Sequence, residues 1–313
     1  MLAARVHAYG PPSVIQVDPI ATPQPGPGDV LVWVKAAGVG PWDALVRTGR
    51  SGVPQALPLT LGSDICGEVV AVGECVDRWN VRDTIYGVTN PSFVGGYAQY
   101  ALARGSMIAS KPPQLSDVEA ASAPVIGVTA LQMLWTHADL KPSQSVLIHG
   151  AAGNVGRSAV RMAAAEGVRV LATARPQDRA SLQALPLAGV VDLDAPASSA
   201  ETVDAALDLV GGPSQSRLFG FIRAGGVLVS SVSIPDRAVA RERNVRPDFF
   251  IVAVDTASLN QLTELFRTGV VQPAVGAIIP LSAARQAHEM MADASRPPGK
   301  IVLLPPEPFA EAT

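Results

Sequence analysis

The chain has 313 residues, of which 48% are hydrophobic and 16% charged, a composition that fills sizeable cores and excludes an intrinsically disordered protein. Its net charge of −3, from 24 basic and 27 acidic side chains, gives no basic excess that would indicate a nucleic-acid partner. No apolar run reaches about 18 residues, so no membrane-spanning helix and no membrane partner are predicted. The length exceeds what one core usually supports, so two domains are expected.

The two cysteines and the N-terminal residues indicate the cellular compartment in which the protein works. Cys66 and Cys75 form no disulfide framework, which fits a reducing environment. The first ten residues, MLAARVHAYG, lack the apolar stretch of a secretory signal peptide. Both features predict a cytoplasmic protein.

The first 120 or so residues are predicted to be mostly β. Three short apolar stretches, separated by turns rich in glycine and aspartate, have the alternating or β-branched character of strands: VLVWVKAAGV, DICGEVVAVG and DTIYGV. Strands of this length and spacing favour a compact, barrel-like domain. Ser116 with Glu119 three residues later is a capping box, which predicts that a helix begins there.

From about Val125 strand patterns alternate with helix patterns. The predicted strands are SVLIHG, VRVLATA, GVVDL, VDAALDLVGG, GGVLVSSV and DFFIVAV. Alternation at this spacing predicts an α/β fold with a doubly wound parallel sheet. Two later apolar stretches, AVGAIIPL and GKIVLL, could extend this sheet or return to complete the first domain.

A glycine-rich turn between the first of these strands and its helix carries the strongest chemical signal. The sequence reads His149-Gly-Ala-Ala-Gly-Asn-Val-Gly156, and small residues there let the backbone approach a pyrophosphate. The N–H groups at the start of the helix would bind that anion. The predicted cofactor contacts in this turn are Ala152, Gly153, Asn154 and Val155.

The end of the next strand indicates which nicotinamide cofactor is used. NAD-preferring sites place an acidic residue about 20 residues after the glycines, to bind the ribose hydroxyls. This chain has Arg175 there, with Arg179 four residues later. A guanidinium would hold a 2′-phosphate through charge-assisted hydrogen bonds, so NADPH is predicted. The alternative is that Arg175 points into solvent.

Several longer motifs extend this interpretation: PGPGDVLVWVKAAGVGPWDALVRTG, LGSDICGEVVAVGECVDRWNVRDTIYG, GGYAQY, APVIGVTALQML, HGAAGNVG, LDLVGG and PGKIVL. Through them the chain, from residue 1 to about 304, resembles the zinc-independent quinone oxidoreductase branch of the medium-chain dehydrogenase/reductase superfamily. The resemblance implies a GroES-like β-rich substrate domain (residues 1–122 and 266–313), which the final strands rejoin. It also implies a Rossmann NADP-binding domain (residues 123–265) and a homodimer.

The resemblance also predicts that no metal is bound. Zinc-bearing relatives carry Gly-His-Glu where this chain has Gly62-Ser63-Asp64, and a cysteine ligand where Gly40 stands. Another ligand falls near Val125 and Ile126. A zinc site needs three or four Cys, His or carboxylate ligands, and these positions do not supply them.

Other site residues follow from the resemblance alone. Asp43 matches an aspartate of the family that would form a hydrogen bond near the nicotinamide ribose or take part in a proton relay. The alternative is that Asp43 only anchors its loop. Trp42 is expected to contact substrate. The cofactor groove is expected to include Thr129, Val210, Gly211, Ser231, Ser233 and Phe250, although Thr129 and Phe250 could be purely structural. Many quinone reductases have Asn where Gly40 stands, so a donor to substrate is missing. Lys300 fits the final Gly-Lys strand of the family, and a solvated side chain is the favoured interpretation of it.

The predicted function is reduction of a quinone or an α,β-unsaturated carbonyl by hydride from NADPH, without zinc. Without a metal to polarise an alkoxide, hydride transfer favours an acceptor that is already electrophilic. A zinc-free carbonyl or alcohol oxidoreductase is one alternative. A nicotinamide-binding protein without turnover is another. The sequence identifies no general acid.

Overall fold

The computed structural model describes residues 1–53, 55–175, 179–193, 202–293 and 297–307. Within them the strands are β1 (Leu2–Val6), β2 (Ile15–Pro19), β3 (Asp29–Val39), β4 (Leu59–Thr60), β5 (Asp64–Val72), β6 (Thr84–Val88), β7 (Tyr100–Arg104), β8 (Ile108–Ser110), β9 (Ser145–His149), β10 (Arg169–Thr173), β11 (Gly189–Val191), β12 (Val203–Asp208), β13 (Ile222–Ser230), β14 (Arg246–Phe249), β15 (Val275–Pro280) and β16 (Lys300–Leu304). The helices are α1 (Pro41–Arg47), α2 (Asp117–Ala121), α3 (Pro124–Leu131), α4 (Asn154–Ala165), α5 (Arg179–Leu182), α6 (Gln215–Leu218), α7 (Arg237–Glu242), α8 (Thr256–Arg267) and α9 (Ala284–Ala292).

The chain divides into two compact units. Unit 1 comprises Met1–Val125, Val254–Arg267 and Pro273–Thr313, and unit 2 comprises Ile126–Ala253 and Thr268–Gln272. The domain boundaries predicted from the sequence, residues 1–122 with 266–313 and residues 123–265, stay a prediction. No helix of the described residues is long and apolar enough to cross a membrane.

Unit 1 is built on a seven-stranded sheet in the order β15-β16-β3-β5-β6-β8, with β7 also paired to β3. A second, three-stranded sheet has the order β2-β1-β4. Strand β3 pairs antiparallel with β5 from Val30 opposite Val72 to Gly38 opposite Asp64. This register brings the carboxyl end of β3 and the start of β5 together, which matters for the site below.

The final strands complete the sheet of unit 1. Strand β16 pairs antiparallel with β3, with Ile301 opposite Val39, and β15 runs parallel to β16. Ile301 and Leu303 pack in the same buried cluster as Val32 and Val39. The stretch GKIVLL therefore lies in the sheet of unit 1 and does not extend the parallel sheet of unit 2.

Two polar contacts hold helix α8 against the strands of unit 1. The Tyr86 hydroxyl donates to the carbonyl of Leu259 in α8 at 2.7 Å, and the Thr256 hydroxyl donates to the carbonyl of Ile108 at 2.8 Å. The predicted capping box begins α2, because the Ser116 side chain accepts from the backbone N–H of Glu119. A carboxylate oxygen of that glutamate in turn accepts from the Ser116 N–H.

Unit 2 contains a six-stranded parallel sheet in the order β11-β10-β9-β12-β13-β14. Its core includes Leu147, Ala206 and Leu228 from the adjacent strands β9, β12 and β13. The predicted doubly wound α/β fold is confirmed. The last strand differs from the sequence prediction DFFIVAV, because β14 covers Arg246–Phe249 in register with Val227–Ser230 of β13 and ends before Ile251.

Candidate active site

The order of strands in unit 2 creates a crevice at the carboxyl ends of β9 and β12. These strands are neighbours, yet the chain first builds β10 and β11 on the other side of β9 before it crosses to β12. At such a reversal the two following loops diverge, and doubly wound sheets bind ligands there. Residues 150–153 follow β9, and residues 209–212 follow β12.

The glycine-rich turn enters this crevice in a conformation that requires its glycines. Gly150 has φ of +92°, a left-handed conformation that favours glycine. A Cβ on Gly156 would lie 2.3 Å from the Gly150 carbonyl oxygen, so the first turn of α4 packs directly on the loop. At Gly153, in contrast, the Gly150 carbonyl oxygen, at 3.3 Å, is the one described heavy atom within 4 Å of the Cβ position apart from the adjoining residues of the chain.

Helix α4 therefore begins with an accessible amino end. Gly153 is its N-cap and is exposed, and among the described residues no side chain caps the helix. The N–H groups of an uncapped first turn and the helix dipole attract an anion. Ala152, Asn154 and Val155 are half-buried beside Gly153, so the four predicted residues surround this helix end.

A buried carboxylate shapes the loop that follows β12, and the sequence analysis did not identify it. Asp208 accepts hydrogen bonds from the backbone N–H groups of Val210 and Gly211 at 3.0 and 2.9 Å. The Gln215 amide donates to its other oxygen at 2.7 Å, and the Ser230 hydroxyl donates to that oxygen at 3.1 Å. These bonds fix the ends of β12 and β13, two neighbouring strands, relative to each other.

His149, the residue before the glycine-rich turn, connects three elements of unit 2. Its Nδ1 lies 2.7 Å from the Thr173 hydroxyl at the end of β10, and its Nε2 lies 3.0 Å from the Ser214 hydroxyl after β12. Burial lowers the pKa of this imidazole, an effect that Asp208 partly opposes, so the ring is neutral at physiological pH. Both contacts agree with a structural role for His149.

The chain after β10 carries the two predicted phosphate-binding arginines. Arg175 lies two residues beyond the strand end at Thr173 and is exposed. Arg179 is the first residue of α5 and is also exposed. Contact of either guanidinium with a 2′-phosphate stays a prediction.

Exposed apolar side chains collect where β12, β13 and β14 end. Val210 is 55% exposed and Ile251 is 58% exposed, and Val232 and Ile234 after β13 are exposed as well. Among the other predicted residues here, Gly211 has φ of +72° and is buried, Ser231 is half-buried, and Ser233 accepts from the Gln215 amide at 3.0 Å. An apolar surface of this kind suits the flat face of a bound ring system.

Two of the predicted cofactor contacts, Phe250 and Thr129, have buried side chains. The Phe250 ring is stacked on His137 at 4.0 Å between ring centroids, and that imidazole also lies 3.3 Å from Asp248. Thr129 lies in α3 and is 6% exposed. Their roles as cofactor contacts stay predictions, with packing the alternative for Phe250.

In unit 1 a buried acid occupies the first turn of α1. Asp43 Oδ2 accepts from the Gly40 N–H at 2.7 Å and from the Tyr97 hydroxyl at 2.8 Å. Burial raises the pKa of Asp43 to about 6, although both hydrogen bonds and the positive charge of Lys300 oppose the shift. Asp43 is therefore an acid that can change protonation state near neutral pH, inside a fixed hydrogen-bonded loop.

A buried ion pair lies beside this acid. Lys300 Nζ is 2.6 Å from Asp64 Oδ2, and the two side chains are 5% and 3% exposed. Asp64 Oδ1 also accepts from the Val125 N–H at 3.1 Å. The expectation of a solvated lysine is wrong, because β16 pairs with β3 and carries its first residue into the sheet next to the start of β5.

Two glycines of unit 1 leave room for the lysine side chain. A Cβ on Gly38 would lie 3.0 Å from Lys300 Cε, and a Cβ on Gly40 would lie 3.1 Å from Lys300 Nζ. The side chain of Trp42 is half-buried near this loop, with its ring 6.0 Å from Phe93 in an edge-to-face arrangement. Its indole N–H is buried and has no acceptor among the described residues, and its contact with substrate stays a prediction.

Replacement of Asp43 by Asn should stabilise the protein at neutral pH. The folded state holds the Asp43 proton more tightly than the unfolded chain, since the pKa rises from 3.8 to about 6. Wild-type stability therefore falls as pH rises through this window, by about 3 kcal/mol in total. An amide stays neutral and keeps the oxygen that accepts from Gly40 and Tyr97.

Urea unfolding of both proteins at several pH values checks this prediction. We expect equal stability near pH 4 and a lead for Asp43→Asn that grows up to about pH 6 and then stays constant. A lead of the same size at every pH would contradict the proton-linked explanation.

The described residues contain no group of three or more His, Cys, Asp or Glu side chains arranged to hold a metal ion. The prediction of zinc independence rests on the residues at the former ligand positions, Gly40 and Ser63, and stays a prediction.

Comparison with known proteins identifies the family. Residues 26–113 match the family model of the alcohol dehydrogenase GroES-like domain, and residues 188–303 match that of zinc-binding dehydrogenases. The chain is 30% identical to the quinone oxidoreductase of Lama guanicoe, with 97% of each chain covered. It belongs to the quinone oxidoreductase branch of the medium-chain dehydrogenase/reductase superfamily.

Solved structures of this branch agree with the fold. The quinone oxidoreductase of Coxiella burnetii is 30% identical, with a TM-score of 0.89 and coverage of 97% of this chain and 99% of the other. A mycobacterial protein solved in complex with NADPH is 26% identical, with a TM-score of 0.86 and coverage of 97% and 100%. The chain described here is therefore an oxidoreductase of the quinone oxidoreductase family, with a GroES-like β domain and a Rossmann-type sheet.

Proposed function

We propose that this protein is an NADPH-dependent reductase that transfers hydride to a quinone or an α,β-unsaturated carbonyl without zinc. The observation that carries the proposal is the glycine-rich turn at the strand-order reversal of unit 2, followed after β10 by Arg175. The mycobacterial relative solved with NADPH supports the choice of cofactor.

The residues of unit 2 fit a dinucleotide phosphate. The Cβ position of Gly153 is open apart from one carbonyl oxygen, and α4 begins uncapped within the described chain. The N–H groups of the first turn would bind the pyrophosphate, and Arg175 with Arg179 would bind the 2′-phosphate. Val210 and Gly211 after β12, together with Ser231 and Ser233 after β13, would line the groove. When bound, the nicotinamide supplies a hydride to the acceptor.

The charges of unit 1 support a metal-free reaction. The ammonium of Lys300 lies beside Gly40 and is paired with Asp64, so a positive charge already occupies the region where zinc-bearing relatives place ligands. A zinc ion there would be repelled by the ammonium and would find neither Cys nor His at residues 40 and 63. Asp43, with a pKa of about 6, would then supply or accept a proton in the loop next to Trp42.

A substrate panel tests this function. Purified protein is mixed with NADPH and, separately, with 1,4-naphthoquinone, 2-cyclohexen-1-one and a simple aldehyde, and the loss of absorbance at the NADPH band is followed. We expect oxidation with the quinone and the enone, and slower or no oxidation with the aldehyde. Preference for the aldehyde would indicate a carbonyl reductase, and tight NADPH binding without any oxidation would indicate a non-catalytic binding protein. Stoichiometric zinc by metal analysis would overturn the metal-free proposal.

We further infer a homodimer that forms through β14. This strand lies at the edge of the unit 2 sheet and pairs only with β13 within the described chain. An edge strand offers unpaired backbone groups to a second copy. Light scattering at several protein concentrations tests the inference, and a monomer at all of them would contradict it.

A further inference from the structure

We propose that Lys300 is a catalytic residue whose ammonium donates a hydrogen bond to the carbonyl oxygen of the acceptor during hydride transfer. This inference rests on the proposed function and names the donor that Gly40 does not provide. It assigns to a buried lysine of the final strand the task of stabilising the negative charge that develops on the substrate.

The first support is the direction of the side chain. Lys300 begins β16 and reaches across the end of β3, past Gly38, to a point 3.1 Å from where a Cβ of residue 40 would be. Any side chain at residue 40 would compete with the ammonium for this space. Because residue 40 is glycine, the Lys300 ammonium borders the space that a side chain of residue 40 would otherwise occupy.

The second support is the hydrogen-bond capacity of the ammonium. Among the described residues Asp64 is the one acceptor of Lys300 Nζ, at 2.6 Å, and it uses one of three N–H donors. The Val125 N–H holds the second oxygen of Asp64 at 3.1 Å, which fixes the carboxylate and through it the lysine. Two donors remain for a ligand, on a charge that is held in place before the substrate arrives.

The third support is the cost of this arrangement to the fold. A buried lysine–aspartate pair contributes little net stability, because the loss of hydration of both charges offsets their attraction. Beside the pair, a Cβ on Gly38 would lie 3.0 Å from Lys300 Cε and a Cβ on Gly40 would lie 3.1 Å from Lys300 Nζ, so both positions hold glycine next to the lysine side chain. Stability alone therefore does not account for this buried pair, and a role in the reaction does.

The reaction balances as follows. Hydride from NADPH forms a C–H bond at the β-carbon of the enone, the C=C electron pair shifts to give an enolate, and NADPH becomes NADP⁺. The Lys300 ammonium stabilises the enolate oxygen without losing its proton. A proton that comes ultimately from water then forms the second C–H bond at the α-carbon and gives the saturated ketone. In a quinone the same charge stabilises the hydroquinone anion, which is protonated by water.

The experiment compares Lys300→Met, Lys300→Arg and the double variant Asp64→Asn with Lys300→Met. The double variant removes both charges, so that no unpaired carboxylate is left buried if the single variant folds poorly. Lys111→Met is the matched control, because Lys111 also forms an ion pair with an aspartate, Asp117, at 3.2 Å in unit 1. Each protein is assayed with NADPH and 2-cyclohexen-1-one or 1,4-naphthoquinone, and the dissociation constant for NADPH is measured by fluorescence.

Loss of the ammonium should lower kcat for the enone about 100-fold in the single Met variant and in the double variant. The fall with the more electrophilic quinone should be smaller, about tenfold or less, since its reduction depends less on oxyanion stabilisation. The dissociation constant for NADPH should stay within about twofold, and Lys300→Arg should recover part of the enone activity. Lys111→Met should behave as wild type.

Equal losses for enone and quinone, or no loss for either, would overturn the role of Lys300 while the proposed function stands. Wild-type protein that binds NADPH and reduces neither acceptor would overturn the proposed function and this inference with it.

Discussion

Replacing Gly156 by Ala should lower the free energy of unfolding by about 3 kcal/mol and abolish NADPH binding. The new Cβ would lie 2.3 Å from the Gly150 carbonyl oxygen and 2.6 Å from Ala151 Cα, and both are backbone atoms that cannot rotate away. The turn must shift as a whole, at the usual cost of overpacking a tight contact. A shifted turn no longer presents its N–H groups to a pyrophosphate.

Gly153→Ala is the matched comparison in the same loop. Apart from the adjoining residues of the chain, its Cβ would meet one described atom within 4 Å, the Gly150 carbonyl oxygen at 3.3 Å. The cost in stability should be about 1 kcal/mol or less, since alanine is a poorer N-cap than glycine. The dissociation constant for NADPH should still rise by about tenfold or more, because the methyl group stands where the cofactor approaches the helix end.

Thermal unfolding and NADPH titration of both variants separate the two effects. Tight NADPH binding by Gly153→Ala would show that the pyrophosphate does not approach this helix end. Wild-type stability of Gly156→Ala would mean that the turn relaxes without cost.

Removing the guanidinium of Arg175 should shift the cofactor preference strongly toward NADH. We expect the ratio of kcat/KM with NADPH to that with NADH to fall about 100-fold in Arg175→Ala, which corresponds to about 2.7 kcal/mol of charge-assisted hydrogen bonding to the 2′-phosphate. Activity with NADH should change little, because NADH has no phosphate at that position.

Steady-state kinetics with both cofactors measures the ratio directly. Arg237→Ala is the control, since Arg237 is an exposed arginine on α7 of the same unit. The additional variant Arg179→Ala reports whether the second arginine shares the phosphate. A wild-type ratio in Arg175→Ala would remove the basis for assigning NADPH from this residue.

The elements that the sequence predicted well are those with a local signal. Alternation of apolar strands and helix patterns predicted the parallel sheet, and Ser116 with Glu119 predicted the start of α2. The glycine-rich turn was visible because its three glycines, a strand and a helix are contiguous. In these cases the residues that determine the structure lie within about one element of each other.

The buried charges could not be predicted in this way. Lys300 and Asp64 are 236 residues apart, and the Tyr97 hydroxyl reaches Asp43 across 54 residues. A lysine at the start of an apolar strand is usually predicted to extend into solvent. The burial of Lys300 becomes visible only once β16 is seen to pair with β3. The Asp208 network likewise depends on Ser230 from the next strand, which a pattern in one strand does not contain.

The order of strands in unit 1 also has a consequence for how the chain is made. Strand β5 pairs along one edge of β3, and on the other edge β7 pairs with residues 29–33 and β16 with residues 37–39. The carboxyl end of β3 therefore has no neighbour on that second edge until residues 301–303 have been synthesised. The sheet of unit 2, in contrast, is built entirely from residues 145–249. On the ribosome the sheet of unit 2 can therefore form while the carboxyl end of β3 in unit 1 still lacks one neighbour, and Lys300 is synthesised only after that second sheet is complete.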